Sequence, residues 1–130
     1  MNKRIVSTAA VFGLIAVILG AFGAHSLKER IGTAELTVWA KGVEYQLYHV
    51  FALLFLASGK LHSKFVGYAY WFFTIGILFF SGSLYLLSTR ELSHMKALNF
   101  IGPITPVGGL LFILGWIMLL VAALKQDDAR

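Results

Sequence analysis

The stretch IVSTAAVFGLIAVILGAFGA at residues 5–24 decides the fold class of this chain. It carries no charged residue, and a helix of this length spans the ~30 Å hydrocarbon core of a bilayer. The stretch resembles a secretory signal peptide, because Lys3 and Arg4 precede it and small residues lie at its end. The apolar core of such a signal is only ~7 to 15 residues long, however. We therefore expect residues 5–24 to form a retained first transmembrane helix.

The composition of the chain agrees with an integral membrane protein. Of its 130 residues 58% are hydrophobic and 13% are charged, which is too apolar for an ordinary soluble domain of this size. Lysine and arginine outnumber aspartate and glutamate by 11 to 6, and they lie at the chain ends and between apolar blocks. This pattern is typical of anchors at a membrane surface rather than of nucleic-acid binding. Because cysteine is absent, disulfides and thiolate metal sites are excluded.

Three further apolar blocks follow, and they predict spans at residues 43–59, 65–89 and 97–124. Before the second span, Gly32 predicts a turn and Thr33 an N-cap, so this helix should begin outside the lipid and run to about Ser58. The connections at residues 59–64 and 90–96 are short, which makes consecutive spans antiparallel neighbours. We predict a single membrane domain over residues 1–130, an all-α antiparallel four-helix transmembrane bundle.

Two sequence patterns concern the packing of these helices. Gly13, Gly20 and Gly23 lie with several alanines on one face of the first span, and such a stripe lets another helix approach closely. The second pattern is PITPVGG, which should break or kink the last helix near its start and free backbone carbonyls. Those carbonyls would find partners in Asn99, Thr105 or the hydroxyls of the third span. The residues of this helix-break motif are Pro103, Thr105, Pro106, Gly108 and Gly109.

The segment KGVEYQLYHVFA at residues 41–52 carries the main candidate for a functional site. A charged side chain near the bilayer centre costs ~2.5 kcal/mol or more, so its polar stripe should face other helices or water. We expect Glu44 to be partly buried at the mouth of the bundle, within hydrogen-bonding reach of a basic or hydroxyl group. The candidate polar cluster comprises His25, Glu44, Tyr45, Tyr48, His49 and Ser81.

Four motifs resemble one known family. GAFGAH at residues 20–25, YQLYH at 45–49, FSGSLY at 80–85 and TPVGG at 105–109 are similar, in order and spacing, to the small bacterial inner-membrane family called domain of unknown function 423. Small transmembrane proteins of eukaryotes are related to it. The resemblance covers nearly the whole chain and implies a four-span protein of the bacterial inner membrane. It implies no activity, cofactor or catalytic residue.

The residues themselves point to no enzyme. HExxH, G-x-S-x-G and phosphate-binding loops are all missing from the sequence, and no cofactor or metal is expected. Glu44 and His49 are five residues apart and share a helix face only loosely, which is a poor arrangement for ligating a metal with His25.

Two function classes remain open. One is a non-enzymatic accessory or assembly factor that acts through helix packing; the other is an oligomeric transporter or channel with Glu44 and His49 in a proton or ion relay. The expected partners are the lipid bilayer and either a second copy or another membrane protein, not nucleic acid.

Four spans place both termini on one side, and we expect this side to be the cytoplasm. It would hold six basic residues against five opposite, and Lys3 and Arg4 precede the first span.

Overall fold

The computed structural model describes residues 1–92, 94 and 100–126, and these residues form four α-helices and no β-strand. Helix α1 covers Lys3–Ala24, α2 Thr33–Ala57, α3 Phe65–Ser88 and α4 Ile104–Leu124, and a 3-10 turn at Leu27–Glu29 lies between α1 and α2. Each helix packs against the next one along the chain. Consecutive helices run antiparallel: short connections join α1 to α2 and α2 to α3, and the contacts between α3 and α4 run in opposite order along the two helices, from Ser83–Thr105 to Phe73–Gly115. The predicted class, an all-α antiparallel bundle of a membrane protein, is confirmed.

The four helices differ in how well they suit a bilayer. Among the described residues, three segments are long and apolar enough to cross a membrane: Lys3–Glu29, Phe65–Ser88 and Ile104–Leu124. Helix α2 has 25 residues, which is long enough, but it contains Glu35, Lys41, Glu44 and Gln46 and is more polar. That α2 forms the fourth span therefore stays a prediction.

The starts of two helices refine the sequence analysis. The predicted N-cap at Thr33 is wrong, because Gly32 occupies that position with an extended backbone and Thr33 is already helical. Helix α4 begins at Ile104 directly after Pro103, so the two prolines lie at its start. Pro106 is the third helical residue, where a missing N–H leaves no intrahelical bond unmade. The predicted start of the last span at residues 97–99, including Asn99, lies outside the described residues.

Glycines set the distance between α3 and α4. The ring of Phe112 lies over Gly76, where an added Cβ would come within 2.6 Å of Phe112 Cδ1. In the reciprocal contact, a Cβ on Gly115 would come within 2.6 Å of Phe73 Cδ1, and Phe73 is completely buried. Each ring thus fills the space that the opposite glycine leaves, which allows the two helices to pack closely.

Candidate functional site

The candidate polar cluster does not form one site in the structure. His25 is exposed just beyond the end of α1, and no hydrogen bond or ion pair joins its side chain to another described residue. Glu44 lies at the surface of α2, whereas His49 is buried among rings from α3 and α4. Because helix positions five apart differ by ~140° around the axis, the two side chains leave α2 in different directions.

Glu44 forms an ion pair with its own helix. Its Oε2 lies 3.3 Å from Lys41 Nζ, and the two side chains are 45% and 57% exposed. Glu44 also stands at the rim of an apolar groove of about 370 Å³ between α1 and α2. The other residues that line this groove, called the α1–α2 groove below, are Gly20, Gly23, Ala24, Leu36, Trp39, Ala40 and Val43.

His49 is held by aromatic side chains and two hydrogen bonds. Its ring is stacked on Phe112, with centroids 3.6 Å apart and planes 5° from parallel. Nδ1 lies 2.7 Å from the carbonyl oxygen of Tyr45, and Nε2 lies 3.1 Å from Nε1 of Trp116. A carbonyl only accepts and an indole N–H only donates, so the partners select the neutral imidazole with its proton on Nδ1. Both nitrogens are thereby engaged, Nδ1 with the backbone of α2 itself and Nε2 with Trp116 of α4.

The other members of the cluster are placed on the surface or between helices. Tyr45 and Tyr48 are exposed and pack edge to face, with Tyr45 also lying against the ring of Phe80. Ser81 is completely buried, and its hydroxyl donates to the carbonyl oxygen of Gly42 at 2.7 Å. Ser81 therefore ties α3 to the backbone of α2 rather than to Glu44 or His49.

The stripe of small residues on α1 faces α2. Gly23 is buried, and Cβ atoms added at Gly13 and Gly20 would lie 3.5 and 3.4 Å from Val50 and Val43 of α2. A small residue in a helix also leaves the backbone carbonyl four residues before it accessible to a donor from a neighbouring helix. The carbonyl of Leu19, four residues before Gly23, accepts a bond from Trp39 Nε1 at 2.9 Å.

A second carbonyl on α1 is used in the same way. Gln46 Nε2 donates to the carbonyl oxygen of Phe12 at 2.8 Å, and Ala16, four residues further along α1, is completely buried and small. The two accepting carbonyls are seven residues apart, and so are the two donors on α2. The α1–α2 contact thus repeats one arrangement, a side-chain donor over a carbonyl that a small residue leaves accessible.

Gln46 joins three helices. It is only 2% exposed, and its Oε1 accepts a hydrogen bond from Tyr85 OH of α3 at 2.6 Å. The Tyr85 ring lies over Gly42, where an added Cβ would come within 2.7 Å of Cε1. It also contacts the indole of Trp39, with centroids 4.8 Å apart. The candidate polar cluster predicted from the sequence did not include Gln46, Tyr85, Trp39 or Trp116.

The helix-break motif is a contact between α3 and α4. Ser83 Oγ and Thr105 Oγ1 lie 2.6 Å apart, so a bond between two hydroxyls joins α3 to α4. That these hydroxyls are partners of freed carbonyls stays a prediction. Gly108 is buried against the backbone of Phe80, where an added Cβ would lie 2.7 Å from Cα. Gly109 has more room, since its nearest neighbour would be 3.8 Å away. Pro103 and Pro106 are exposed.

The buried polar side chains are therefore mostly satisfied within the bundle. Gln46, His49, Ser81, Ser83 and Ser88 all have hydrogen-bond partners. Within the described ranges, the buried hydroxyl of Thr74 is the side-chain group that lacks one. In the same ranges, no three histidine, aspartate or glutamate side chains are grouped as metal ligands are. The polar chemistry of this interior is chiefly that of helix-to-helix hydrogen bonds.

Comparisons with known proteins identify relatives of this chain. The family model described as "Protein of unknown function (DUF423)" matches residues 19–109. A UPF0382 membrane protein of Staphylococcus aureus is 46% identical over 95% of this chain and 97% of its own length. The UPF0382 membrane protein YwdK of Bacillus subtilis is 44% identical over 95% and 98%. The UPF0382 inner membrane protein YgdD of Escherichia coli is 42% identical over 90% and 86%. No solved structure matches the chain.

Proposed function

Since the chain belongs to the DUF423 family, whose relatives are named only as membrane proteins, we propose that it is a non-enzymatic accessory or assembly factor of the bacterial inner membrane. It acts through helix packing, and its partner is a transmembrane helix of another membrane protein. The observation that carries this proposal is the α1–α2 groove, which remains open beside an interior whose polar groups are nearly all engaged.

The hydrogen bonds of the interior favour a packing role over ion transport. A relay needs titratable groups that face a common path, whereas Glu44 pairs with Lys41 at the surface and His49 has both ring nitrogens engaged, one within α2 and one with α4. Gln46 and Ser81 likewise connect one helix to another. The transporter alternative thus has no geometric support from the pair of residues on which it was based.

The shape and lining of the α1–α2 groove suit a helix. Helices in lipid associate where small residues let backbones approach, and Gly20, Ala24 and Ala40 supply such a surface. Ala24 and Ala40 are exposed, so their methyl groups face outward and are not used in the α1–α2 contact. The Lys41–Glu44 pair at the rim offers both charges to a polar residue of the incoming helix.

Photo-crosslinking in native membranes tests this proposal. A photoreactive residue at position 40 should give one discrete adduct with another membrane protein. Ala24→Leu, which fills the α1–α2 groove, should abolish the adduct. Ala123→Leu, the same change at an exposed alanine of α4, should leave it intact. The captured protein, purified and placed in nanodiscs, should then bind the wild-type chain and lose at least about tenfold in affinity for Ala24→Leu.

Three outcomes would overturn the proposal. Adducts with lipid alone at position 40 would mean that no helix occupies the groove. An adduct between two copies of this chain would identify a homo-oligomer instead of an accessory factor. Proton or ion flux through proteoliposomes of the purified protein, abolished by Glu44→Gln, would establish the transporter.

We also propose that both termini are cytoplasmic. Lys3 and Arg4 directly precede α1, and the first span generally dominates orientation. The Escherichia coli relative is named an inner membrane protein, which concerns the membrane and says nothing about the side on which the termini lie.

A further inference from the structure

We infer that the bundle end formed by the start of α1 and the end of α4 binds the phosphate groups of anionic phospholipids. Because the helices are antiparallel, the end of α2 and the start of α3 lie there too. This end, called the basic end below, gathers cationic side chains from all four helices and their flanks. They are Lys3, Arg4, Lys60, Lys64 and Lys125.

The central feature of the basic end is a pair of lysines on one aromatic ring. Lys64, just before α3, places its Nζ 5.6 Å from the ring centroid of Phe65, and Lys125, just after α4, places its Nζ 5.5 Å from the same centroid. The ring attracts both cations. Neither lysine has a carboxylate partner among the described residues. Two like charges thus lie against one ring without a counter-charge, and ammonium groups so placed can donate charge-assisted hydrogen bonds to phosphate oxygens.

Arg4 repeats this arrangement on another side of α3. Its guanidinium lies 4.9 Å from the ring centroid of Trp71 and 5.6 Å from that of Tyr70. The hydroxyl of Tyr70 is hydrogen-bonded to Thr8 Oγ1 at 2.8 Å, which fixes the ring under the cation. A guanidinium stacked on rings keeps its N–H edge free, and that edge matches the oxygens of a phosphate.

The opposite end of the bundle has no comparable excess of basic residues over acidic ones. In the sequence its five basic residues are mixed with four acids: Lys28, Arg30, Lys41, Arg90 and Lys96 with Glu29, Glu35, Glu44 and Glu91. The basic end has no acidic residue in the part of the chain that the structure describes. Asp127, Asp128 and Arg130 follow in the sequence, and counting them with the five cationic residues of the basic end gives six basic residues against two acids. An anionic surface is therefore attracted to one end in preference to the other.

The surroundings of the lysine pair favour a lipid over a soluble polyanion. Tyr68 and Trp71 are 51% and 48% exposed on α3, and side chains of this kind settle at the headgroup level of a bilayer. The exposed surface of α4 next to Lys125 is apolar, with Leu120 and Leu124 facing outward. A phosphate held by Lys64 and Lys125 would therefore have its acyl chains running along α3 and α4.

The test measures phosphatidylglycerol binding by the full chain in nanodiscs of phosphatidylcholine doped with phosphatidylglycerol, with native mass spectrometry counting the retained lipids. Each lysine near an anionic surface contributes about fivefold in affinity, so Lys64→Gln/Lys125→Gln should weaken retention roughly 25-fold. Lys28→Gln/Arg30→Gln removes the same charge from the opposite end and should change it less than about twofold. Lys64→Arg/Lys125→Arg keeps the charge and should retain the lipid.

Four results would overturn the inference: equal losses in the two glutamine variants, no loss in either, failure of the arginine variant to retain lipid, or displacement of the signal by inorganic phosphate. Equal losses would mean general electrostatic attraction, and displacement would mean a free-phosphate site. Far-UV circular dichroism verifies that each variant is folded, and Lys125→Gln alone, with an expected loss of about fivefold, replaces the double variant if that one unfolds.

Discussion

Replacing Gly23 by alanine tests the assignment of the α1–α2 contact. An added Cβ would lie 2.6 Å from both Cδ1 and Nε1 of Trp39, so the indole must move. That movement would also lengthen the bond from Trp39 Nε1 to the carbonyl oxygen of Leu19. Gly13→Ala is the matched control on the same face of α1, because its Cβ would meet Val50 at an ordinary 3.5 Å.

The expected magnitude follows from three terms. Overpacking costs about 1 to 3 kcal/mol, and a lost hydrogen bond costs about 0.5 to 1.5 kcal/mol. Alanine regains about 0.8 to 1.0 kcal/mol through its helix propensity. Gly23→Ala should therefore lower the free energy of unfolding by about 0.5 to 3.7 kcal/mol, whereas Gly13→Ala should leave it unchanged or raise it by up to about 1 kcal/mol.

Reversible unfolding in mixed micelles, driven by SDS and followed by far-UV circular dichroism, measures both variants. A cycle with Trp39→Leu locates the cause, since the cost of Gly23→Ala should largely disappear once the indole is absent. Equal stabilities of Gly23→Ala and Gly13→Ala would refute the reasoning. So would a cost of Gly23→Ala that persists unchanged in the Trp39→Leu background.

Four further results are expected. In a double-mutant cycle of Gln46→Leu and Tyr85→Phe, the coupling energy should be about 0.6 to 1.7 kcal/mol, and a value of zero would mean that their hydrogen bond contributes nothing. Gly108→Ala should lower the unfolding free energy by more than about 1 kcal/mol because its Cβ would meet backbone, whereas Gly109→Ala should be tolerated in the same titration. Glu44→Gln should change stability by less than about 1 kcal/mol, since its ion pair is exposed; a larger loss would indicate an unrecognised partner. A C-terminal phosphatase fusion should be inactive and a fluorescent-protein fusion bright, and the reverse would place the termini outside.

The sequence predicts the helices and the face of α1 that packs, because both depend on local periodicity and side-chain size. An uncharged run of helix-spanning length has few alternatives to a membrane helix, and a small-residue face gains nothing against lipid. The same reasoning treats Gly13 and Gly23 alike, however. Only the partner side chain distinguishes them: Val50 reaches one and the indole of Trp39 covers the other.

The candidate polar cluster could not be predicted in the same way. Proximity along α2 grouped Glu44 with His49, but the partner of a buried polar group is set by the neighbouring helix. Gln46 bonds to the carbonyl of Phe12, and a backbone acceptor leaves no mark in the sequence. Tyr85 reaches Gln46 across 39 residues of chain, a pairing that depends on the register between α2 and α3. Such contacts follow from tertiary packing and not from periodicity.

The position of α2 explains how a comparatively polar helix fits among three apolar ones. Gln46 and Trp39 place their donors on carbonyls of α1, and Ser81 of α3 donates to the carbonyl of Gly42. His49 receives a bond from Trp116 of α4. Lipid could supply none of these partners, so if α2 is the predicted fourth span its polar groups depend on the three neighbouring helices. The apolar helices can therefore be expected to insert on their own, and α2 to depend on packing against them.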